Sequence, residues 1–277
     1  MIKKILCPTD FSGVSSNAIE FAAKLAQRTN STLTLVHVQP VAIGEGINLF
    51  AGGDRESVAE AKLATKQLED ICLELNRTFK ISCTHEIIAS SLESFENVIA
   101  AESPKYDLTV IGTNGADTIN QFYFGSHSYR VAKKETGCVI IVPENCSFSG
   151  IENLAFASDC TNPEQMGFRQ LKVFTDLFNP ELRVLYISEK DNPEAKSIYS
   201  TFCNLVGEAL NYENNIIFER IIFENEAEAI GKFMEKTNAE ILALYMEDRS
   251  LLFKTFHEDV IKKLTSYADF PILIFHE

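Results

Sequence analysis

The sequence predicts an α/β fold that consists of two tandem domains, each with a parallel β-sheet covered by helices. A domain takes about 100–200 residues, so the 277 residues of this chain suit two. Apolar runs of strand length alternate with helical patterns, and the runs are unbroken, as in strands buried on both faces of a sheet. Strand–helix–strand order implies parallel strands joined by right-handed crossovers.

A long repeat divides the chain into two halves. The segment 2–12 is an apolar run that ends in Asp10, and the segment 151–161 has the same form and ends its run in Asp159. Units of about 140 residues are too long for a solenoid, so the repeat indicates tandem domains. We place these domains at residues 1–146 and 147–277.

Five strands are expected in each half. In the first half they are Ile5–Cys7, Leu33–Val38, Ile81–Ile88, Leu108–Gly112 and Val139–Val142. Helical spacing is seen around Ala18–Leu25, Val58–Leu75 and Phe95–Ile99, whereas the glycine-rich Pro40–Glu56 is expected to be a loop. In the second half the strands are Leu154–Ala157, Leu182–Ile187, Ile216–Phe223, Ile241–Tyr245 and Ile272–Phe275.

Composition and charge exclude several classes of protein. The net charge of −14 leaves no visible basic face for nucleic acid. No apolar run approaches the roughly 18 residues of a membrane helix, and the N-terminus lacks the apolar core of a signal peptide, so a cytoplasmic location is expected. The seven cysteines are scattered without a C-x-x-C pair, which favours reduced, packed thiols over a metal site or a disulfide framework.

A glycine motif follows the fourth strand of the first half. Gly112 and Gly115 are separated by two residues, and Gly125-Ser126 comes nine residues later at the start of a helix. Glycines let the backbone approach an oxyanion, and the free N–H groups and the dipole of a helix start favour negative charge. Ser126 and Ser128 add hydroxyl donors. The spacing therefore predicts a phosphate-binding loop at the carboxyl edge of the sheet, where ligands bind in open α/β proteins.

The first strand ends in a polar group, Pro8-Thr9-Asp10-Phe11-Ser12. Asp10 or Ser12 could cap the helix that follows, or the group could hold a ribose or an adenine edge. Spacing alone does not separate the two interpretations, and capping is the default. His37 is expected to pack, and His127 is expected at a solvated cap position.

Taken together, these residues resemble the universal stress protein family. The resemblance rests on Pro-Thr-Asp-x-Ser at 8–12, on His37-Val38 at the end of the second strand, and on the glycine motif. It implies two Rossmann-like (adenine nucleotide alpha hydrolase-like) domains, each with a five-stranded parallel sheet of order 3-2-1-4-5 flanked by helices. It also implies that the last strands of the two sheets pair into an internal pseudo-dimer, with a homodimer of chains as a further possibility.

The glycine motif matches the ATP-binding subgroup of that family. By this resemblance, Asp10 and Val38 hold adenosine, with Pro8 and Thr9 beside them. The residues expected along the phosphates are Gly112, Gly115, Gly125, Ser126 and Ser128. ATP is the expected ligand, with Mg²⁺ bound through its phosphates, and no residue is expected to be catalytic or to ligate a metal.

The second half departs from this pattern. No glycine follows its fourth strand, and alignment of the closing strands places Glu258 and Asp259 where the first half has Gly125 and Ser126. Carboxylates at that place would repel phosphate. The net charge agrees in direction, at −4 for the first domain and −10 for the second. We therefore expect one ATP site, in the first domain, and a structural or regulatory second domain.

Three functions are compatible with these features. The first is a stress-response regulator whose bound ATP changes its conformation or its contact with an unidentified protein partner. The second is a slow ATPase in which Ser126 and Ser128 with Mg²⁺ position a water. Neither a Walker A motif nor the S-G-G-x-D-S signature of pyrophosphate-releasing ligases is present. The third is a ligand-free interaction protein that keeps the glycine motif for folding.

Overall fold

Strands and helices alternate along the whole described part of the chain. The computed structural model describes residues 1–40, 55–113, 125–158, 168–188, 191–211, 215–223, 225–246 and 258–276. The first half contains β1 (Lys4–Pro8), α1 (Gly13–Thr29), β2 (Thr32–Pro40), α2 (Arg55–Phe79), β3 (Ser82–Ser90), α3 (Phe95–Glu102), β4 (Leu108–Thr113), α4 (Gly125–Lys134) and β5 (Cys138–Pro143). The second half contains β6 (Asn153–Ser158), α5 (Arg169–Phe178), β7 (Glu181–Ser188), α6 (Pro193–Leu210), β8 (Ile216–Ile222), α7 (Glu226–Thr237), β9 (Ile241–Tyr245), α8 (Glu258–Tyr267) and β10 (Ile272–Phe275).

All ten strands belong to one sheet, of order β3-β2-β1-β4-β5-β10-β9-β6-β7-β8. Each half thus has the predicted order 3-2-1-4-5, and neighbouring strands within a half are parallel. The last strands β5 and β10 pair antiparallel, with Ile141 opposite Ile272 and Cys138 opposite Phe275. The expected internal pseudo-dimer is therefore present, and it gives one continuous sheet instead of two separate ones.

Helices cover both faces of this sheet because the strand side chains alternate between two apolar cores. Ile5 and Cys7 of β1 face the core formed with α1, α2, α5 and α6, whereas Leu6 faces the core formed with α3, α4, α7 and α8. Both cores continue from one half into the other. Among the described helices, none is both long and apolar enough to cross a bilayer.

The two halves also contact each other outside the sheet. On one face, Phe148 of the connecting segment packs against Phe21 of α1 and Phe178 of α5, with ring centroids 5.3 and 6.1 Å apart. On the other face, the Thr113 hydroxyl donates to the carbonyl oxygen of Thr265 in α8 at 3.2 Å. The halves are therefore joined through all three layers.

Every predicted strand overlaps an observed one, but the expected loop Pro40–Glu56 needs correction. Pro40 is the last residue of β2, and Arg55 and Glu56 already belong to α2. Helix α2 begins at Arg55, three residues before Val58, the first apolar residue of the pattern that predicts this helix. The pattern therefore misses the polar first turn of α2. The remaining residues of that segment, 41–54, lie outside the described residues.

Candidate functional site

A cavity of about 430 Å³ opens at the carboxyl edge of the first half, between the ends of β1 and β4. The strand order reverses direction between these two strands, which is where open α/β sheets bind ligands. The described lining residues are Pro8, Thr9, Asp10, Ser12, Val14, Ser15, Phe95, Ile111, Gly112, Thr113, His127 and Ser128. The cavity is thus framed by the β1–α1 loop, the end of β4, and the first turns of α3 and α4.

Thr9 holds the β1–α1 loop in place through hydrogen bonds of its backbone N–H and its hydroxyl. Its backbone N–H donates to the carbonyl oxygen of Val36 in β2 at 2.8 Å. Its hydroxyl accepts from the N–H of Phe11 at 3.1 Å and is bonded to the hydroxyl of Ser15 at 3.0 Å. Because β2 and α1 both contact Thr9, the loop has a defined position relative to the sheet.

Phe11 adopts a left-handed backbone conformation, with φ of +64°. Bulky residues rarely adopt this region, and it costs of order 1–3 kcal/mol unless the surroundings enforce it. The Phe11 ring packs on the His37 ring with centroids 4.7 Å apart, and His37 donates from Nδ1 to the carbonyl oxygen of Thr9 at 2.9 Å. His37 therefore packs, as expected, and it also stabilises the strained loop beside the cavity.

Of the two roles that the sequence left open for Asp10 and Ser12, capping is seen at Ser12, and the contact of Asp10 with a ribose or adenine stays a prediction. Ser12 is the N-cap of α1, since its hydroxyl accepts from the N–H of Ser15 at 3.2 Å. The Asp10 carboxylate accepts from the N–H of Ser12 at 3.0 Å and also lines the cavity. Burial raises the pKa of Asp10, but hydrogen bonds from Ser12 and Ser15 outweigh this and hold the pKa below its usual value. Asp10 is therefore a charged hydrogen-bond acceptor at the cavity wall.

Gly112 is required by packing. A Cβ at this position would lie 2.7 Å from the carbonyl oxygen of Val14 and 2.9 Å from its Cγ1, so α1 passes closer to β4 than any side chain would allow. Ser128 is buried and donates its hydroxyl to the carbonyl oxygen of Gly112 at 3.0 Å. The Ser128 hydroxyl therefore anchors α4 to the end of β4, and its contact with a phosphate stays a prediction.

A cluster of ionisable side chains lies where α3 and α4 meet, and one member, His127, lines the cavity. Glu96 is 6% exposed, and its carboxylate lies 3.4 Å from Arg130, 3.8 Å from His127 and 4.0 Å from Lys134. Burial raises the pKa of Glu96, but its own backbone N–H and the neighbouring Arg130, Lys134 and His127 lower it below the usual value. His127 is exposed and lies edge-on to Phe95 with ring centroids 6.3 Å apart.

Sequence reasoning missed this cluster because its members come from two helices that are adjacent only in the fold. The sequence signals that could have indicated it are the spacing of His127 and Arg130, which places them on one helix face, and an acidic residue in the first turn of α3. Arg130 and Lys134 give the cluster two positive charges against the one negative charge of Glu96, in a chain whose net charge is −14.

Not all predicted site residues meet at the cavity. Val38 is half-buried near the end of β2, opposite Ile88, and is absent from the described lining. Gly125 and Ser126 are the first two residues of α4, and their side chains lie outside the description, as does the whole of Gly115. The described residues contain no group of three or more His, Cys, Asp or Glu side chains placed to hold a metal ion.

The second half repeats the architecture of this edge with different residues. Helix α8 begins at Glu258, as α4 begins at Gly125, so the alignment made from the closing strands is correct. Asp159 and the segment 247–257, which correspond to Asp10 and the glycine loop, lie outside the described residues.

Comparison with known proteins gives the same assignment for the first half and extends the fold over the second. The sequence model described as "Universal stress protein family" matches residues 1–143. Universal stress protein A homolog 1 of Coxiella burnetii is 29% identical over 143 residues, which are 50% of this chain and 95% of that protein. A universal stress protein of Methanocaldococcus jannaschii is 27% identical over 147 residues, 51% of this chain and 82% of that protein.

Two solved structures cover both halves. The crystal structure of a universal stress protein from Archaeoglobus fulgidus superposes with a TM-score of 0.76 at 15% identity, over 99% of this chain and 98% of that one. A functionally unknown protein from Pseudomonas aeruginosa superposes with a TM-score of 0.57 at 13% identity, over 99% of this chain and 92% of that one. These likenesses concern the fold. With the family model covering more than half of its residues, the chain belongs to the universal stress protein family.

Proposed function

We propose that this chain is an ATP-binding regulatory protein of the stress response, with one nucleotide site in a domain of residues 1–146. The observation that supports this is the cavity of about 430 Å³ between the ends of β1 and β4, a volume within the usual range of ligand sites. In this proposal the domain of residues 147–277 is structural or regulatory.

The two walls of the cavity offer complementary chemistry for a nucleotide. The charged Asp10 accepts hydrogen bonds, which suits the ribose hydroxyls or the adenine amino group and disfavours phosphate. The opposite wall contains the start of α4, whose first N–H groups have no partner within the helix and favour an anion. The His127 ring lines the same wall, and Arg130 of the same helix adds a positive charge near it.

The proposed contact residues are those of the family motif: Pro8, Thr9, Asp10, Val38, Gly112, Gly115, Gly125, Ser126 and Ser128. Pro8, Thr9 and Asp10 line the cavity. Because the described residues offer no metal-ligating cluster, Mg²⁺ would be held through the phosphates of ATP. Among the described lining residues, Asp10 and His127 are the titratable groups. We propose that ATP acts as a bound ligand and not as the substrate of rapid turnover.

Calorimetric titration with Mg-ATP, combined with a matched pair of variants, tests this proposal. The wild-type chain is expected to bind one ATP. Gly125→Glu gives α4 the same first residue as α8, so it preserves an acceptable helix start but places a carboxylate at the phosphate position, and it should weaken binding at least about tenfold. Glu258→Gly is the control in the second half and should leave binding unchanged.

Three results would contradict the proposal. Two ATP sites per chain would show that the second domain also binds nucleotide. Unchanged binding by Gly125→Glu would place the ligand elsewhere, and no binding by the wild-type chain would favour a ligand-free interaction protein. Chromatography of the same samples measures the ADP that is released. Release of ADP over many turnovers would identify the chain as an ATPase.

A further inference from the structure

Two cysteine thiols meet between α2 and the edge strand β3, away from the nucleotide cavity. The Sγ atoms of Cys72 and Cys83 are 3.1 Å apart, and both residues are free thiols that are 5% and 7% exposed. Their neighbours Leu73, Ser82 and Thr84 are exposed. The pair therefore lies one side chain below the surface, at an outer edge of the ten-stranded sheet.

Asn76 of α2 fixes the position of Cys83 relative to Cys72. It follows Cys72 by one helical turn, so both side chains project from the same face of α2. Its Oδ1 accepts from the N–H of Cys83 at 2.6 Å, and its Nδ2 donates to the carbonyl oxygen of Cys83 at 3.4 Å. These bonds fix the backbone of Cys83 against α2. A disulfide, with its S–S bond of about 2.05 Å, then requires an approach of the sulfur atoms by only about 1 Å.

The local environment also makes the two thiols unequal. Hydrogen bonding from Cys83 lowers the pKa of Cys72, burial opposes this, and the hydrogen bond and charge of His85 lower the pKa further. The contact with Cys72 and burial raise the pKa of Cys83, because a second thiolate beside the first is disfavoured. By contrast, burial alone raises the pKa of Cys7. Cys72 is therefore the sulfur that attacks, since the thiolate is the reactive form.

We propose that Cys72 and Cys83 are a peroxide-oxidised dithiol that forms a reversible disulfide between α2 and β3. The Cys72 thiolate attacks one oxygen of hydrogen peroxide, the O–O bond breaks, and the leaving hydroxide takes up a proton to become water. Cys72 is then a sulfenic acid. The Cys83 sulfur attacks the Cys72 sulfur, the S–O bond breaks, and the hydroxide leaves as water with the proton of the Cys83 thiol.

The overall reaction converts two thiols and one peroxide into one disulfide and two waters. An external dithiol reverses it by thiol–disulfide exchange and is itself oxidised. This reaction is independent of the nucleotide site, because neither cysteine lines the cavity described above.

The test is peptide mapping of the full chain after treatment with one equivalent of hydrogen peroxide at neutral pH. Free thiols are blocked by alkylation, and trypsin then separates Cys72, in peptide 67–77, from Cys83, in peptide 81–105. The expected product is the cross-linked pair of these peptides, which dithiothreitol separates. Cys203, a half-buried thiol beside Tyr199 in α6, is the internal control and should be oxidised at least about tenfold more slowly.

Two variants distinguish the roles of the cysteines. In Cys83→Ser the reaction should stop at the sulfenic acid, so dimedone should label Cys72. In Cys72→Ser, or Cys72→Ala if the serine variant is unstable, Cys83 should stay reduced and unlabelled. The proposal is wrong if the wild-type chain yields both peptides alkylated and unlinked while Cys203 is oxidised. It is also wrong if dimedone labels Cys72 in the wild-type chain and no cross-link between Cys72 and Cys83 forms.

Discussion

Replacement of Gly112 by alanine tests the close approach of α1 to β4 on which the cavity depends. The added Cβ would lie 2.7 Å from the carbonyl oxygen of Val14, 2.9 Å from its Cγ1 and 3.2 Å from its carbonyl carbon. The oxygen and carbonyl carbon belong to the backbone, so no rotation of a side chain removes the overlap. Neither element can move freely, because β4 is paired with β1 and β5 on its two sides and α1 is packed in the core.

The magnitude follows from two opposing effects. Overpacking of a well-packed interior costs about 1–3 kcal/mol. Alanine also restricts the unfolded chain and returns about 0.4–1 kcal/mol, because the backbone of Gly112 does not need the left-handed region. We therefore expect a net loss of about 1–2 kcal/mol in the free energy of unfolding.

Urea unfolding measures this loss, and Gly207→Ala is the matched control. Gly207 lies inside α6 with open space around it, so alanine there should stabilise the chain by about 0.5–1 kcal/mol through helix propensity. If Gly112→Ala were as stable as the wild type while Gly207→Ala gained stability, the close contact with Val14 would be refuted. Gly112→Ala should also weaken ATP binding by moving the start of α1. Such a loss would not show a contact between Gly112 and phosphate.

Three further outcomes follow from the geometry. His37→Phe keeps the ring contact with Phe11 but removes the bond to the Thr9 carbonyl, and it should cost about 0.5–1.5 kcal/mol in urea unfolding. Burial raises the pKa of Glu135 to about 8, against a hydrogen bond from Thr109 that lowers it, so the folded state favours the protonated acid. Stability should therefore fall as pH rises from about 4.5 towards 8, and Glu135→Gln should flatten this part of a plot of Tm against pH. Residues 1–146 alone leave β5 unpaired and should self-associate in sedimentation velocity, whereas adding residues 147–277 should convert them to a heterodimer.

The architecture could be predicted from the sequence because buried parallel strands leave a direct mark on it. Strands covered on both faces need apolar residues at every position, and each of the predicted runs overlaps a strand of the sheet. The pairing of β5 with β10 was predictable for a related reason, since an apolar last strand in each half requires a cover. Periodicity is less informative at the polar end of a helix, so it does not extend the predicted helix to Arg55 and Glu56.

The site was predictable only in part, because several of its contacts join residues that are distant in sequence. The spacing of the glycine motif located the cavity but did not show that Gly112 is required by Val14, or that Ser128 bonds to Gly112. The spacing likewise contained no sign that Glu96 would meet His127. The contact between Cys72 and Cys83 depends on how α2 lies on β3, which local patterns do not specify.

The second half explains how a protein with one proposed site can use two copies of the fold. Its strand β10 is fully buried against β5, so the second half permanently covers an edge that a single domain would leave open. Its helix α8 begins at Glu258, the position that Gly125 occupies in α4. The same helix reaches the wall of the cavity in the first half, because the Thr113 hydroxyl donates to the Thr265 carbonyl oxygen. This hydrogen bond therefore links the wall of the cavity directly to the packing of the two halves.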